Sequence, residues 1–182
     1  MHDYSDKELL EMFKESDFKN FAFKQIIKKY QERLYWHIRK IVITHEDTDD
    51  ILQNTFIKVW KGLDQFREDS KLYTWLYRIA TNESLTFLKQ KKKRHYIPFM
   101  DVEHHLMNTL ESDEYFSGNQ IQLKLQKAIL TLPEKQRLVF NMKYFDELKY
   151  EDMSKILDTS VGALKASYHH AVKKIEKYLK DN

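Results

Sequence analysis

Cysteine is absent from the 182 residues, and glycine and proline are scarce, at three and two. Without cysteine there is no disulfide framework and no thiolate metal site, a composition suited to a reducing cytoplasm. So few helix breakers leave few tight turns, which predicts long helices joined by short polar loops. No apolar run approaches the ~20 residues that a membrane span needs. The first residues, MHDYSDKELLEMF, carry early acids and no apolar signal core, unlike a secretory leader. A glycine-rich phosphate loop, a nucleophile elbow and a His-Glu metal motif are missing too, so the sequence signals neither an enzyme nor a cofactor site.

What the chain does have is a hydrophobic content of 42%, enough for a real core, and charge arranged in blocks. Residues 1–94 hold 19 Lys and Arg against 15 Asp and Glu, a net of +4. Residues 95–120 hold five acids and no Lys or Arg, and residues 121–182 return to a net of +4. The middle block, HYIPFMDVEHHLMNTLESDEYFSGNQ, has no helical periodicity and contains Pro98 and Gly118. It reads either as a plain tether or as an acidic mimic of nucleic acid inside a basic channel of a partner.

Both flanking blocks read as helical. Phe23, Ile26, Ile27, Tyr30, Leu34 and Ile38 recur at three- and four-residue steps. Asp49 or Asp50 makes a favourable start for the next helix, whose apolar face is Ile51, Leu52, Thr55, Phe56, Val59 and Trp60, with Gly62 as its end. A polar turn, DQFREDS, leads into KLYTWLYRIATNESLTFLKQKKKR, where Leu72, Trp75, Leu76 and Ile79 share one face. Beyond the acidic block come Ile121–Leu130, a helix opened by Pro133, then YEDMSKIL, DTS and VGALKASYHHAV, with Ser160 placed to cap the last. Helix, short break and helix is the layout of a helix-turn-helix.

Three motifs in order carry a resemblance: DTDDILQNTFIKVW (47–60), FREDSKLYTWLYRIATNESLTFLKQKKKR (66–94) and LPEKQRLVFNMKYFDELKYEDMSKILDTSVGALKASYHHAVKKI (132–175). Together they resemble an extracytoplasmic-function (ECF) sigma factor, a two-domain bacterial initiation factor. The resemblance implies an all-α fold of two small domains. Residues 1–94 would be the region 2 domain and 121–182 the region 4 helix-turn-helix domain, joined by the acidic linker at 95–120. It also implies core RNA polymerase, promoter DNA and an anti-sigma factor as partners, in the cytoplasm, with no membrane insertion of this chain.

The same resemblance implies residue roles. Asp50 and Gln53, with Asp49 and Asn54 beside them, would dock on a coiled coil of the largest polymerase subunit; the family commonly has glutamate where Asn54 stands, so one charge contact is missing. Phe66 and Asn82 would hold flipped-out bases of the non-template strand, with Trp75 and Arg78 on the same side. Aromatic faces suit unpaired bases, and an amide offers donor and acceptor together. Lys89, Lys91, Lys92, Lys93 and Arg94 put five positive charges in six residues, where phosphates would be held. In the last helix Lys165, Ser167, His169 and His170 would face the upstream element, with Lys173 and Lys174 on phosphate. Three positions that are often arginine in the family are Ser167, His170 and Val172 here, so the upstream preference should depart from the commonest one. Tyr168 reads as core. Adjacent histidines point about 100° apart on a helix and make a poor metal site. Two other readings explain less: an autonomous helix-turn-helix regulator accounts for 121–182 alone, and a protein-docking module accounts for 1–94 alone.

Overall fold

The computed structural model describes residues 4–95 and 120–182. Among them are eight α-helices and one 3-10 turn. Helix α1 (Asp6–Lys14) opens with a capping box: Glu8 N–H donates to Ser5 Oγ at 3.3 Å and Ser5 N–H to Glu8 Oε2 at 2.7 Å. Helix α2 (Lys19–Val42) is the long central element, burying Ala22, Ile26, Tyr30, Leu34 and Ile38 at three- and four-residue steps. Helix α3 (His45–Gly62) starts one turn before the expected Asp49 or Asp50. Its cap is Thr44, whose Oγ1 accepts from Asp47 N–H. Asp49 and Asp50 therefore lie in the second turn, exposed. A 3-10 turn (Leu63–Gln65) and the loop 66–71 lead to helix α4 (Leu72–His95).

The C-terminal unit comprises α5 (Gln120–Leu130), α6 (Glu134–Tyr144), α7 (Tyr150–Leu157) and α8 (Val161–Asp181). Pro133 stands just before α6, where its missing N–H costs nothing. Asp158 ends α7 in the left-handed conformation, and Ser160 Oγ caps α8 by accepting from Ala163 N–H. Of the expected acidic linker, 95–120, His95 ends α4 and Gln120 opens α5, and residues 96–119 lie outside the described residues.

The two units share a core. Leu138, Val139, Met142, Leu148, Met153, Ile156 and Leu164 join the cluster built by α1–α4. A second cluster of Ala128, Ile129, Leu132, Phe140, Ala171 and Ile175 closes the outer side of the C-terminal unit. Tyr168 stacks on Phe140 at 5.8 Å between the clusters, a packing role as its sequence context implied.

Two polar seams cross the junction. The Asp146 side chain is 4% exposed and accepts from His37 Nδ1 at 2.8 Å and Lys40 Nζ at 2.6 Å. His37 Nε2 lies 2.9 Å from Thr81 Oγ1, so α2, α4 and the loop after α6 meet at one buried ring. Asp152 of α7 accepts from the Tyr73 hydroxyl and from Thr74 Oγ1 at 3.2 Å, with Lys71 Nζ 3.9 Å away.

Candidate polymerase and nucleic-acid interfaces

Helix α3 has one face turned inward and one left open. Thr48 and Thr55 are buried because their hydroxyls donate back to the carbonyls of Thr44 and Ile51, which satisfies them inside the bundle. Ile51, Phe56 and Val59 pack beside them. Asp49, Asp50, Gln53 and Asn54 all stand exposed. Ile57 continues that open face, seven residues after Asp50 and four after Gln53, and is 45% exposed. Periodicity assigns Ile57 no role in the core, because position 57 falls outside the arc of Ile51, Thr55 and Val59.

A second site forms where the loop 66–71 meets α4. Phe66 and Trp75 rings lie 5.0 Å apart at 37°. Gly62 lets Trp75 settle against the end of α3, since a Cβ there would come within 3.2 Å of the indole Cζ2. Both rings line a pocket of about 480 Å³ with Arg67, Asp69, Ser70, Thr74 and Arg78. Lys155 and Asp158 of the C-terminal unit line it too. Arg78 is exposed, and Asn82 stands exposed one turn farther along α4. The structure thus brings Phe66, Trp75 and Arg78 around one cavity and leaves Asn82 beyond its lining. Burial, and then the hydrogen bond to Asp152, push the Tyr73 hydroxyl up to about 12. It remains protonated and donates.

The basic end of α4 is divided. Lys89 and Lys93 are exposed. Lys91 is instead drawn inward, 2.7 Å from Asp47 Oδ2 and over the Phe87 ring. The side chains of Lys92 and Arg94 lie outside the described part of the structure.

On α8 the buried stripe is Leu164, Ala171 and Ile175. Lys165, His169, His170, Lys173 and Lys174 lie exposed on the far side, and Ser167 sits half-buried at the margin. Lys165 Nζ rests 5.7 Å from the centre of the Tyr150 ring, which tethers the first cation of the series.

Residues 26–94 match the family described as Sigma-70 region 2, and residues 122–175 the one described as Sigma-70, region 4. The RNA polymerase sigma-H factor of Pseudomonas aeruginosa is 30% identical over 190 residues, covering 96% of this chain and 93% of that one. The ECF RNA polymerase sigma factor SigW of Bacillus subtilis is 30% identical over 169 residues, covering 88% and 90%. Among solved structures, the sigma factor RpoE in complex with the anti-sigma factor NepR from Bartonella quintana has a TM-score of 0.70 at 22% identity, over 87% of this chain and 96% of that one. CnrH in complex with the cytosolic domain of CnrY has a TM-score of 0.69 at 21% identity, over 97% and 98%. The two structures share the fold. The chain belongs to the ECF sigma factors, which serve promoter-specific transcription initiation by RNA polymerase and are regulators rather than catalysts.

Proposed function

We propose that this sigma factor docks on core RNA polymerase through the open face of α3, reads a bipartite promoter, and nucleates strand opening by capturing unpaired bases. The observation that carries the reading is the Phe66–Trp75 pair in a cavity beside Arg78. Two aromatic faces and a guanidinium are what an extruded base needs: stacking surface, and a cation for the neighbouring phosphate. Asn82 extends the track along α4 with an amide that offers both donor and acceptor.

Asp50 and Gln53 lie three residues apart on one exposed helix face, so a carboxylate and an amide meet the same partner surface. Arginines on the polymerase would satisfy both. Lys165, His169 and His170 of α8 would face the upstream element as duplex, with Lys173 and Lys174 on its phosphates. Ser167, at the margin of that face, reaches bases only at the edge of the groove. An anti-sigma factor is the expected negative partner, of the kind bound to the sigma factor RpoE in the Bartonella quintana structure. The chain works in the cytoplasm, where polymerase is. Among the described residues, no helix is long and apolar enough to cross a membrane.

Run-off transcription from sheared genomic DNA of the source bacterium, with bacterial core polymerase, tests this. Discrete transcripts that appear with the protein and vanish with Asp50→Ala/Gln53→Ala are expected. No transcripts, together with specific duplex binding by the protein alone, would leave an autonomous regulator instead.

A further inference from the structure

Residues 65–70 form one side of the Phe66–Trp75 cavity, and all of them line it except Glu68. Glu68 turns outward. Its backbone lies in the left-handed region, at φ 59°, which disfavours a residue with a Cβ. Such a conformation persists where surrounding groups hold it. Lys14 is the group on Glu68: its Nζ donates to Glu68 Oε1 at 3.4 Å, across 54 positions of chain. Lys14 is the last residue of α1.

The entrance to the loop is held in the same way. The 3-10 turn hands the chain on to Phe66, whose N–H donates to the Leu63 carbonyl at 3.2 Å. Asp64 in that turn accepts from Lys19 Nζ with both oxygens, at 2.9 and 2.7 Å. Lys19 is the first residue of α2. Its ammonium also lies 4.7 Å from the centre of the Phe13 ring and 5.5 Å from that of Trp60. Those two rings meet edge to face at 5.3 Å. A cation set against two rings and a carboxylate has little freedom, and it fixes Asp64 in turn. The α1–α2 turn thus grips the α3–α4 connection at two points, one on each side of Phe66. Both lysines precede residues 26–94, the stretch that matches Sigma-70 region 2.

We propose that Lys14 and Lys19 are positioning residues that help set which base the cavity accepts, by holding its loop in one shape through Glu68 and Asp64. This rests on the base-capture reading given under Proposed function. Neither lysine lines the cavity. Each acts on the backbone that carries Phe66 and Arg67. The Lys14 and Glu68 side chains are 63% and 50% exposed, and pairs of that kind add little to stability. Their consequence is geometric. A loop ordered before the base arrives offers one pocket shape and loses little freedom on binding. A loop released at both points adapts to whichever base is extruded, so discrimination falls. Lys155 of α7 donates to the Asp69 carbonyl at 3.1 Å, a contact that fixes neither Asp64 nor the outward turn of Glu68.

Full-length protein, core polymerase and a promoter recovered by run-off transcription form the assay, with each base placed in turn at every position of the downstream element. Lys14→Gln/Lys19→Met removes both charges, and the methionine keeps an aliphatic stem against Phe13 and Trp60. Its preference for the best base over the others should fall about tenfold, within what an ångström of misplacement can cost. Polymerase affinity should stay as in the parent. Lys19→Arg should keep the preference. Lys14→Glu should lose part of it, and Lys14→Glu/Glu68→Lys should regain it, a rescue that a general loss of stability does not give. Trypsin supplies a readout without DNA: cleavage after Arg67 in the free protein should quicken in Lys14→Gln/Lys19→Met and not in Lys19→Arg. Unchanged base preference in Lys14→Gln/Lys19→Met overturns the proposal. So does a loss shared equally by all the promoters, or one matched by lost polymerase binding. If that variant fails to fold, the exchange of Lys14 with Glu68 decides, and absence of rescue overturns the proposal. No transcripts from the parent on any promoter would refute the function reading and base selection with it, while cleavage at Arg67 separately reports whether the two lysines hold the loop.

Discussion

Trp75 illustrates how much one side chain depends on its neighbours. Its ring settles against the end of α3, where a Cβ on Gly62 would crowd it at 3.2 Å, and it packs on Phe66 with both rings lining the cavity. Trp75→Ala removes a stacking surface worth about 1–3 kcal/mol per base. Open-complex formation should fall by about fivefold or more with polymerase binding unchanged, measured by permanganate footprinting beside a polymerase pull-down. Equal loss in both assays would make Trp75 a packing residue. The grouping of Trp75 with Arg78 was legible in the sequence, since three residues make nearly one helical turn. The position of Lys91 was not. A run of five cations reads as one phosphate-holding block, whereas the fold gives Lys91 an acid, Asp47, across the α3–α4 contact.

At the scale of an element, α3 shows what periodicity conveys and what it misses. The buried arc was legible because every third or fourth residue is apolar or a small hydroxyl that bonds back to its own helix. The start was misplaced. Acids mark a favourable first turn, and there are several, but only Thr44 has extended backbone and a side-chain oxygen within reach of a free N–H. Ile57 lies on the open face and contributes little to the core. Ile57→Asp should leave the thermal midpoint nearly unchanged while weakening core polymerase binding tenfold or more, about 1.4 kcal/mol. A drop in the thermal midpoint without loss of polymerase affinity would return Ile57 to the fold.

The whole molecule is held together by groups far apart in the chain. Asp146 is the clearest. Burial by itself raises its carboxyl, but the hydrogen bond and charge of His37, together with Lys40, outweigh it and hold the group below its ordinary value of 3.8. A lowered carboxyl contributes stability that is fully present above the ordinary value and is lost as pH falls through the lowered one. Tyr77 also faces this site, and burial pushes its hydroxyl well above the ordinary value, so it stays neutral in that window. The junction between units should therefore hold from neutral pH to about 4 and loosen below. Small-angle scattering should show the radius of gyration rising in that range for the parent, with Asp146→Asn already expanded at neutral pH. An expansion of equal size at equal pH in both would assign it to other carboxylates.

The sequence by itself determined the helices, their breaks and their two-faced character. These are local properties: backbone hydrogen bonds run four residues along the chain, and apolar positions recur at the same spacing. It also carried the open polar face of α3 and the aromatic start of α4, because each lies within one or two turns of one helix. Only the tertiary structure decided that the two units lie against each other and share a core. The pairing of His37 with Asp146 spans 109 positions, and that of Tyr73 with Asp152 spans 79. No periodicity links such residues. They meet because burying Met153, Ile156 and Leu164 against α1–α4 brings two carboxylates beside the donors that satisfy them.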